Sequence, residues 1–223
     1  MDKKDKKLSV SLMCADLMNI ESQIRILEAQ KVDFLHIDIM DAHFVPNLTF
    51  GPDFVNQLRR ITDIPFDIHL LMDKPRDIIR SLDIRQGDIV SIHAECKESI
   101  LENVAFVKQK DAYFGLALNP DTTIEEVKKY LRYVDVVLLM LIVPGFAGST
   151  MINGIMDKVT DTRNYLNKNK LDDVKIEVDG SVSVERAAAM SSQGADIFVG
   201  GTKGIFRRGS KLADTISEFY RAL

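Results

Sequence analysis

Short apolar segments rich in β-branched residues alternate along the chain with longer segments of helical periodicity. The predicted strands are residues 8–13, 34–40, 65–72, 88–94, 113–118, 134–141, 174–179 and 196–201. Between them, apolar residues recur three or four positions apart, as Ile124, Val127 and Leu131 do, and several segments begin with Asp, Ser, Thr or Pro. The predicted helices are residues 19–30, 52–61, 75–82, 99–109, 123–134, 155–168, 184–194 and 209–223.

This alternation decides the predicted fold class. Eight strands that alternate with eight helices are typical of an α/β protein built as a single (β/α)8 TIM barrel. A doubly wound open sheet is the alternative, because a sequence does not show whether the eighth strand pairs with the first. The length of 223 residues suits one domain, and no linker or low-complexity segment divides the chain. We therefore expect one barrel domain over residues 1–223, with residues 1–7 as a flexible basic tail.

Composition and charge limit the partners. A hydrophobic fraction of 46% supplies enough apolar side chains for a large core, and a net charge of -4 gives no basic surface for nucleic acid. No apolar run approaches the roughly 20 residues of a membrane-spanning helix, so we expect no membrane partner. Cys14 and Cys96 permit one disulfide at most, and we expect reduced thiols in a cytoplasmic protein.

The candidate chemistry lies at the carboxyl ends of three predicted strands. His36 and Asp38 share one face of the second strand, His69 lies on the third, and Asp179 ends the seventh. Barrel enzymes build their active sites at these strand ends. Two imidazoles and two carboxylates suit a divalent transition metal and also supply two bases. Taken singly, each residue has a structural alternative: a hydrogen-bonded pair for the His-x-Asp motif and a turn former for Asp179.

Three glycine-containing loops follow the last three predicted strands, at residues 143–149, 179–183 and 200–206. Glycine lets backbone N–H groups approach an anion, and the loops after strands 7 and 8 form the usual phosphate site of barrels. A plain tight turn is the alternative for any single loop. The three loops together favour a phosphorylated substrate. Met13, Met40 and Met140 are core residues or form an apolar wall that keeps water from a reactive carbanion.

Several motifs together identify a resemblance. The segments SLMCADL, LHIDIMDAHFVPNLTFGPDFV, FDIHLLMDKP, GLALNPDT, VPGFAGS, IEVDGSV and GADIFVGGTKGIF resemble the ribulose-phosphate 3-epimerase family, in order, from about Ser9 to Phe206. The resemblance implies a barrel of the ribulose-phosphate-binding type. It also implies a metal-dependent enzyme of carbohydrate metabolism that inverts C3 of a ketose phosphate, with a homo-oligomer as its expected assembly.

The resemblance assigns a role to each matching residue. His36, Asp38, His69 and Asp179 would bind one divalent ion per chain: zinc, iron, manganese or cobalt, with magnesium also compatible. Asp38 and Asp179 would in addition exchange protons on the two faces of C3. The substrate contacts would be Ser11, Met40 and Met140. The phosphate contacts would be Gly145, Gly148, Gly180, Ser181, Gly201 and Thr202.

The chain departs from the common family pattern at several positions. Ala42 stands in place of a glycine, Leu71 in place of a methionine, and Val143 in place of an acidic residue, while Ala147 and Ser149 change the loop after strand 6. The segments SLMC, PGFAG and DGS resemble the D-allulose-6-phosphate 3-epimerase branch, although Val143 fits neither branch. They favour D-allulose 6-phosphate over D-ribulose 5-phosphate as the substrate.

Two rival functions remain open at this point. A decarboxylase or aldolase of the same barrel type would be expected to carry Asp-x-Lys on the third strand, whereas this chain has Asp67, Ile68 and His69. A non-catalytic sugar-phosphate-binding protein would not need acids on opposite faces of its ligand. His43 and His93 are predicted to lie on loops at the rim of the site, with no assigned role.

Overall fold

The computed structural model describes residues 6–223, and these form a closed barrel of eight parallel strands. The strands are β1 (Lys7–Ser11), β2 (Phe34–Met40), β3 (Phe66–Leu71), β4 (Ile89–His93), β5 (Tyr113–Leu118), β6 (Val136–Met140), β7 (Lys175–Asp179) and β8 (Ile197–Gly200). Strand β1 pairs with both β2 and β8, so that Val10 lies between Leu35 and Gly200. This pairing confirms the predicted TIM barrel and excludes the open sheet.

Helices cover the outside of the barrel. Within residues 6–223 they are α1 (Ile20–Ala29), α2 (Pro52–Leu58), α3 (Arg76–Ser81), α4 (Ile100–Lys108), α5 (Asp157–Lys168), α6 (Val184–Gln193) and α7 (Leu212–Ala222). Short 3-10 helices, Leu12–Cys14 and Leu17–Asn19, follow β1. None of the helices in this part of the chain is long and apolar enough to cross a membrane.

The predicted helix at 123–134 is wrong. The segment is a series of tight turns around one 3-10 helix, Glu125–Val127, and its backbone N–H groups bond three residues back, as from Val127 to Ile124. Ile124, Val127 and Leu131 are nevertheless buried as the apolar pattern requires. A spacing of three residues suits a 3-10 turn as well as an α-helix, so periodicity alone did not separate the two.

The predicted N-terminal tail, residues 1–7, extends too far along the chain, because Lys6 and Lys7 contact the barrel. Lys7 belongs to β1, where its backbone N–H donates to Asp196 O at 2.9 Å and its ammonium group lies 2.9 Å from Asp33. Lys6 donates to the Ala195 carbonyl. These contacts fix the two lysines at the amino end of the barrel. Residues 1–5 of the predicted tail lie outside the described residues.

The barrel interior is layered, because strand residues alternate between the interior and the helices. The first residue of each even-numbered strand forms an apolar cluster, which we call the lower layer: Phe34, Ile89, Val136 and Ile197. The next layer comes from the odd-numbered strands and is called the acid layer: Ser9, Asp67, Gly115 and Glu177. The interior therefore changes from apolar to polar toward the carboxyl ends of the strands.

Candidate metal and substrate site

The upper end of the barrel brings together the four side chains predicted to bind a metal. His36 and Asp38 come from β2, His69 comes from β3, and Asp179 is the last residue of β7. One nitrogen or oxygen atom of each lies within 4.8 Å of those of the other three. We call this group the His-Asp cluster. The two imidazoles are fully buried, and the Asp179 side chain is 16% exposed toward the pocket above.

The distances within the His-Asp cluster suit one shared cation. Asp38 Oδ1 lies 3.2 Å from both His36 Nε2 and His69 Nδ1, and Asp179 Oδ2 lies 3.9 Å from the same two nitrogens. Atoms that bind one ion at about 2.1 Å lie roughly 3 to 4 Å from one another. Two nitrogen and two oxygen donors are a set that zinc, iron, manganese and cobalt accept. The residues present therefore fit a divalent metal.

His36 is oriented from below by the acid layer. Its Nδ1 lies 2.6 Å from Asp67 Oδ2, and the Ser9 hydroxyl donates to the same oxygen at 2.6 Å. With Nδ1 engaged by a carboxylate, Nε2 is the nitrogen that faces the cluster. Burial and the neighbouring Asp67 raise the pKa of Glu177 well above its usual value, which favours the neutral carboxyl group. Asp67 is thus the carboxylate that contacts the imidazole from beneath.

The surroundings shift the pKa values of the two imidazoles of the His-Asp cluster in opposite directions. Burial disfavours the charged form of His36, but Asp67 and Asp38 outweigh it and raise its pKa well above the usual value. Burial lowers the pKa of His69 to about 4, so this imidazole is neutral. Without a metal, a proton on His36 supplies the charge that balances the carboxylates. A bound cation would replace that proton.

The predicted position of His93 on a loop is wrong. His93 is the last residue of β4 and fully buried, and its Nε2 lies 3.0 Å from His69 Nε2. The Phe44 ring packs on it with centroids 4.6 Å apart. The sequence held a signal for this, since alternation from Ile89 through Ser91 places His93 on the interior face. His43, in contrast, is exposed in the loop after β2, with its Nδ1 2.7 Å from Asp41 O.

A pocket opens directly above the cluster. Its lining includes all the predicted substrate and phosphate contacts: Ser11, Met40, Met140, Gly145, Gly148, Gly180, Ser181, Gly201 and Thr202. Ser11 Oγ donates to Asp38 Oδ2 at 3.4 Å, which links the pocket wall to the cluster. Sequence reasoning missed some other lining residues: Cys14, Ile142, Phe146 and Lys203. They lie beside the predicted contacts, but as isolated residue types they gave no signal of their own.

The loops around the pocket need unusual backbone geometry. Gly145, Gly148 and Gly180 have φ values of 128°, 79° and 114°. A Cβ at Gly180 would also lie 2.6 Å from the Ile142 side chain. Ser181 has φ 55°, and Arg186 donates to its carbonyl oxygen at 2.7 Å and to its hydroxyl at 3.0 Å. The chain path here requires glycine or a side chain with its own support.

The departures from the family pattern lie around the same pocket. Ala42, in the loop after β2, has φ 59°, a left-handed conformation that explains why a glycine is favoured there. Leu71 is buried in the pocket wall beside Met40. Val143 lies outside it with 69% of its surface exposed. The Asn47 side chain donates to Gly145 O at 2.6 Å and so connects the loops after β2 and β6.

Comparison with known proteins agrees with this geometry. Residues 7–206 match the sequence model of the ribulose-phosphate 3 epimerase family. The chain is 34% identical over 196 residues to ribulose-phosphate 3-epimerase of Bacillus subtilis (strain 168), which covers 88% of this chain and 90% of that protein. It is 39% identical over 191 residues to ribulose-phosphate 3-epimerase of Chlamydia pneumoniae, with 85% and 83% covered.

A solved structure supports the fold. The chain superposes on phosphoribosyl anthranilate isomerase from Thermus thermophilus with a TM-score of 0.65 over 97% of both chains. At 11% identity this similarity concerns the barrel alone. The family match and the two relatives go further, because they extend over most of the chain, and the family match spans residues 7–206. The chain therefore belongs to the ribulose-phosphate 3-epimerase family, an isomerase family.

Proposed function

We propose that this protein is a metal-dependent ketose-phosphate 3-epimerase that inverts C3 with two aspartates. The observation that carries the proposal is the pairing of Asp38 and Asp179, which reach one cluster from β2 and β7 together with two buried imidazoles. A binding protein would need the phosphate loops but not this pair. A decarboxylase that relies on an ammonium group would need a lysine where His69 stands.

His36, Asp38, His69 and Asp179 would hold the metal ion. When bound, a divalent cation stabilises the negative charge that develops on the C2 oxygen as the C3 proton leaves. The protein orients the donors for this purpose, since Asp67 fixes His36 from below and burial keeps His69 neutral. The donor set admits zinc, iron, manganese or cobalt, and also magnesium.

Asp38 and Asp179 would move the protons. Although burial favours the neutral acid, His36 and His69 lower the pKa of Asp38 far below its usual value, so Asp38 is a carboxylate. Burial and the charge of Asp38 raise the pKa of Asp179 to about 7. Without a metal the pKa values of the two acids therefore differ, and inversion requires one acid that accepts a proton and one that donates one. One takes the proton from C3 and the other donates a proton to the opposite face.

The pocket walls would protect the reacting carbon. Met40 and Leu71 pack together with Val45 on one side, and Met140 packs with Ile142 on the other. Apolar walls exclude water, which would otherwise protonate the carbanion without regard to face. Ser11 would contact the substrate from β1, next to Asp38.

The glycine-containing loops would bind the phosphate group. Backbone N–H groups are the expected donors, because Gly145, Gly148, Gly180 and Gly201 leave the backbone uncovered. Ser181 and Thr202 add hydroxyl groups at the same end of the pocket. We propose D-allulose 6-phosphate or D-ribulose 5-phosphate as the substrate, with D-fructose 6-phosphate or D-xylulose 5-phosphate as the product, and a homo-oligomer as the working assembly.

Proton NMR in deuterated buffer tests this function. The protein is loaded with a divalent metal and mixed with each ketose phosphate separately, and a chelator-treated sample serves as the control. We expect deuterium to enter C3 of one sugar while its 3-epimer appears, and we expect the chelated sample to be inactive. The sugar that exchanges faster identifies the substrate. No exchange with either sugar would contradict the proposal and would favour a lyase or a sugar-phosphate-binding role.

A further inference from the structure

The two imidazoles of the His-Asp cluster are supported in different ways. His36 contacts the Asp67 carboxylate directly. Behind His69 the described residues place an imidazole in this position instead, since its Nε2 lies 3.0 Å from Nε2 of His93. His93 Nδ1 in turn lies 3.1 Å from Glu95 Oε2. The carboxylate that supports His69 is therefore one imidazole further away.

We propose that His93 and Glu95 are positioning residues that hold His69 in the tautomer whose Nδ1 binds the metal. This inference rests on the metal site of the proposed function and assigns it two further residues. Neither residue belongs to the His-Asp cluster or lines the pocket above it. Their action passes through His69 alone, and we call the series from Glu95 through His93 to His69 the relay.

Glu95 sets the direction of the hydrogen bonds in the relay. Its Oε1 accepts hydrogen bonds from the Asn119 backbone N–H at 3.0 Å and from the Thr122 hydroxyl. Although burial favours the neutral acid, hydrogen bonds from His93, Thr122 and Asn119 lower the pKa of Glu95 to about 2. Glu95 is therefore a carboxylate that only accepts, and the proton between it and His93 belongs to His93 Nδ1.

The direction of the remaining hydrogen bonds follows from this proton. An imidazole that donates its Nδ1 proton to a carboxylate can accept a hydrogen bond at Nε2. Among the contacts of the described residues, His69 Nε2 is the group that faces His93 Nε2, and it donates there when the His69 proton lies on Nε2. A neutral His69 with its proton on Nε2 presents a lone pair at Nδ1, the atom that faces Asp38 and the cluster. The relay therefore supports the tautomer of His69 whose Nδ1 can bind a metal.

The surroundings of His93 hold the relay in place. The Phe44 ring packs on the His93 ring, and the His69 and His93 ring centroids lie 5.0 Å apart with an interplanar angle of 26°. His93 is fully buried, whereas the Glu95 side chain is 27% exposed. A hydrogen-bonding side chain that is fixed in this way outside the ligands orients a ligand and raises its affinity for metal.

A metal titration with three variants tests the proposal. His93→Phe keeps an aromatic ring against Phe44 but cannot accept a hydrogen bond, whereas His93→Gln keeps an oxygen acceptor. Ser91→Ala is the matched control, because Ser91 is a buried residue of the same strand whose hydroxyl has no hydrogen-bond partner among the described residues. Each protein is titrated with Co2+ against a competing chromophoric chelator.

We expect His93→Phe to weaken Co2+ binding by about 10- to 100-fold, the range observed when an outer partner of a metal ligand is removed. His93→Gln should lose less than His93→Phe, and Ser91→Ala should bind like wild type. Thermal melting separates positioning from a merely structural role. Loss of packing would lower Tm equally with and without Co2+, whereas a positioning role reduces the rise in Tm that Co2+ produces.

Each outcome decides a different question. If wild type binds Co2+ and His93→Phe binds it equally well, the relay is wrong while the metal site stands. If wild type itself binds no Co2+, the metal site of the proposed function is wrong and the relay falls with it. Should His93→Phe fail to fold, Glu95→Ala decides, because Glu95 lies partly exposed at the edge of the barrel. Unchanged Co2+ affinity in Glu95→Ala would then overturn the proposal.

Discussion

The lower layer and the acid layer are neighbours in the barrel interior, yet they have opposite chemistry. Phe34, Ile89, Val136 and Ile197 fill the lower layer with apolar side chains alone. One step higher, Asp67 and Glu177 are both fully buried. Buried acids cost stability unless they are paired, whereas buried apolar side chains supply it. The comparison indicates that stability is concentrated at the amino ends of the strands and function at their carboxyl ends.

The largest expected effect comes from the two catalytic aspartates. Asp38→Asn and Asp179→Asn preserve side-chain shape but remove the proton-transfer group. We expect each to reduce kcat/KM by about 10²- to 10⁴-fold, the usual contribution of a general acid or base. The assay is steady-state epimerisation of the substrate identified by NMR, and the metal content of each variant is measured alongside. A variant that retains its metal and near wild-type turnover would disprove the two-aspartate mechanism.

A substitution in the lower layer should reduce stability and leave activity unchanged. Phe34→Ala removes a buried ring from the layer beneath the acid layer, and we expect a loss of about 3–5 kcal/mol in the free energy of unfolding. Ile197→Val, in the same layer, should cost only about 0.5–1.5 kcal/mol. Urea unfolding measures both. In the fraction that remains folded, kcat should match wild type. A large fall in kcat would contradict the proposal that the amino ends of the strands supply stability and the carboxyl ends supply function.

Gly115 offers a smaller test within the acid layer. A Cβ at this position would lie 2.0 Å from Ser91 Oγ, so Gly115→Ala forces the neighbouring strand to move. We expect a loss of about 1–3 kcal/mol, as for other overpacked interiors. In a Ser91→Ala background the hydroxyl is absent, and the cost of Gly115→Ala should be smaller. A double-mutant cycle by urea unfolding measures this coupling, and additive costs would contradict the steric explanation.

Much of the fold could be predicted from the sequence because its signals are local. Each strand carries its own apolar run, so all eight strands were located, with shifts of only a few residues at their ends. The helix at 123–134 was wrong because Ile124, Val127 and Leu131 satisfy two kinds of turn equally well. Barrel closure could not be predicted from local signals, because it depends on the pairing of β1 with β8, a strand from the other end of the chain.

The site could be predicted only in part, for the same reason. His36, Asp38, His69 and Asp179 were identified by residue type and position at strand ends, and family resemblance added their roles. The contacts that support these residues could not be predicted from the sequence. Asp67 comes to lie beneath His36, and His93 behind His69, only when different strands pair in the folded barrel. Hydrogen-bond direction depends on such pairs, and a single sequence shows neither partner of a contact between strands.

The smallest effect should come from the loops above the barrel, where Ala42 has φ 59°. An L-residue in this left-handed region costs roughly 1–2 kcal/mol, and glycine removes that cost but gains entropy in the unfolded chain. We expect Ala42→Gly to stabilise the protein by about 0.5–1 kcal/mol in urea unfolding. Ala15→Gly is the control, because Ala15 has an ordinary φ of -77°, and the same substitution there should lower the stability of the protein. If both variants lose stability, the loop at Ala42 carries no strain, and the carboxyl end of the barrel owes its lower stability to its buried polar groups alone.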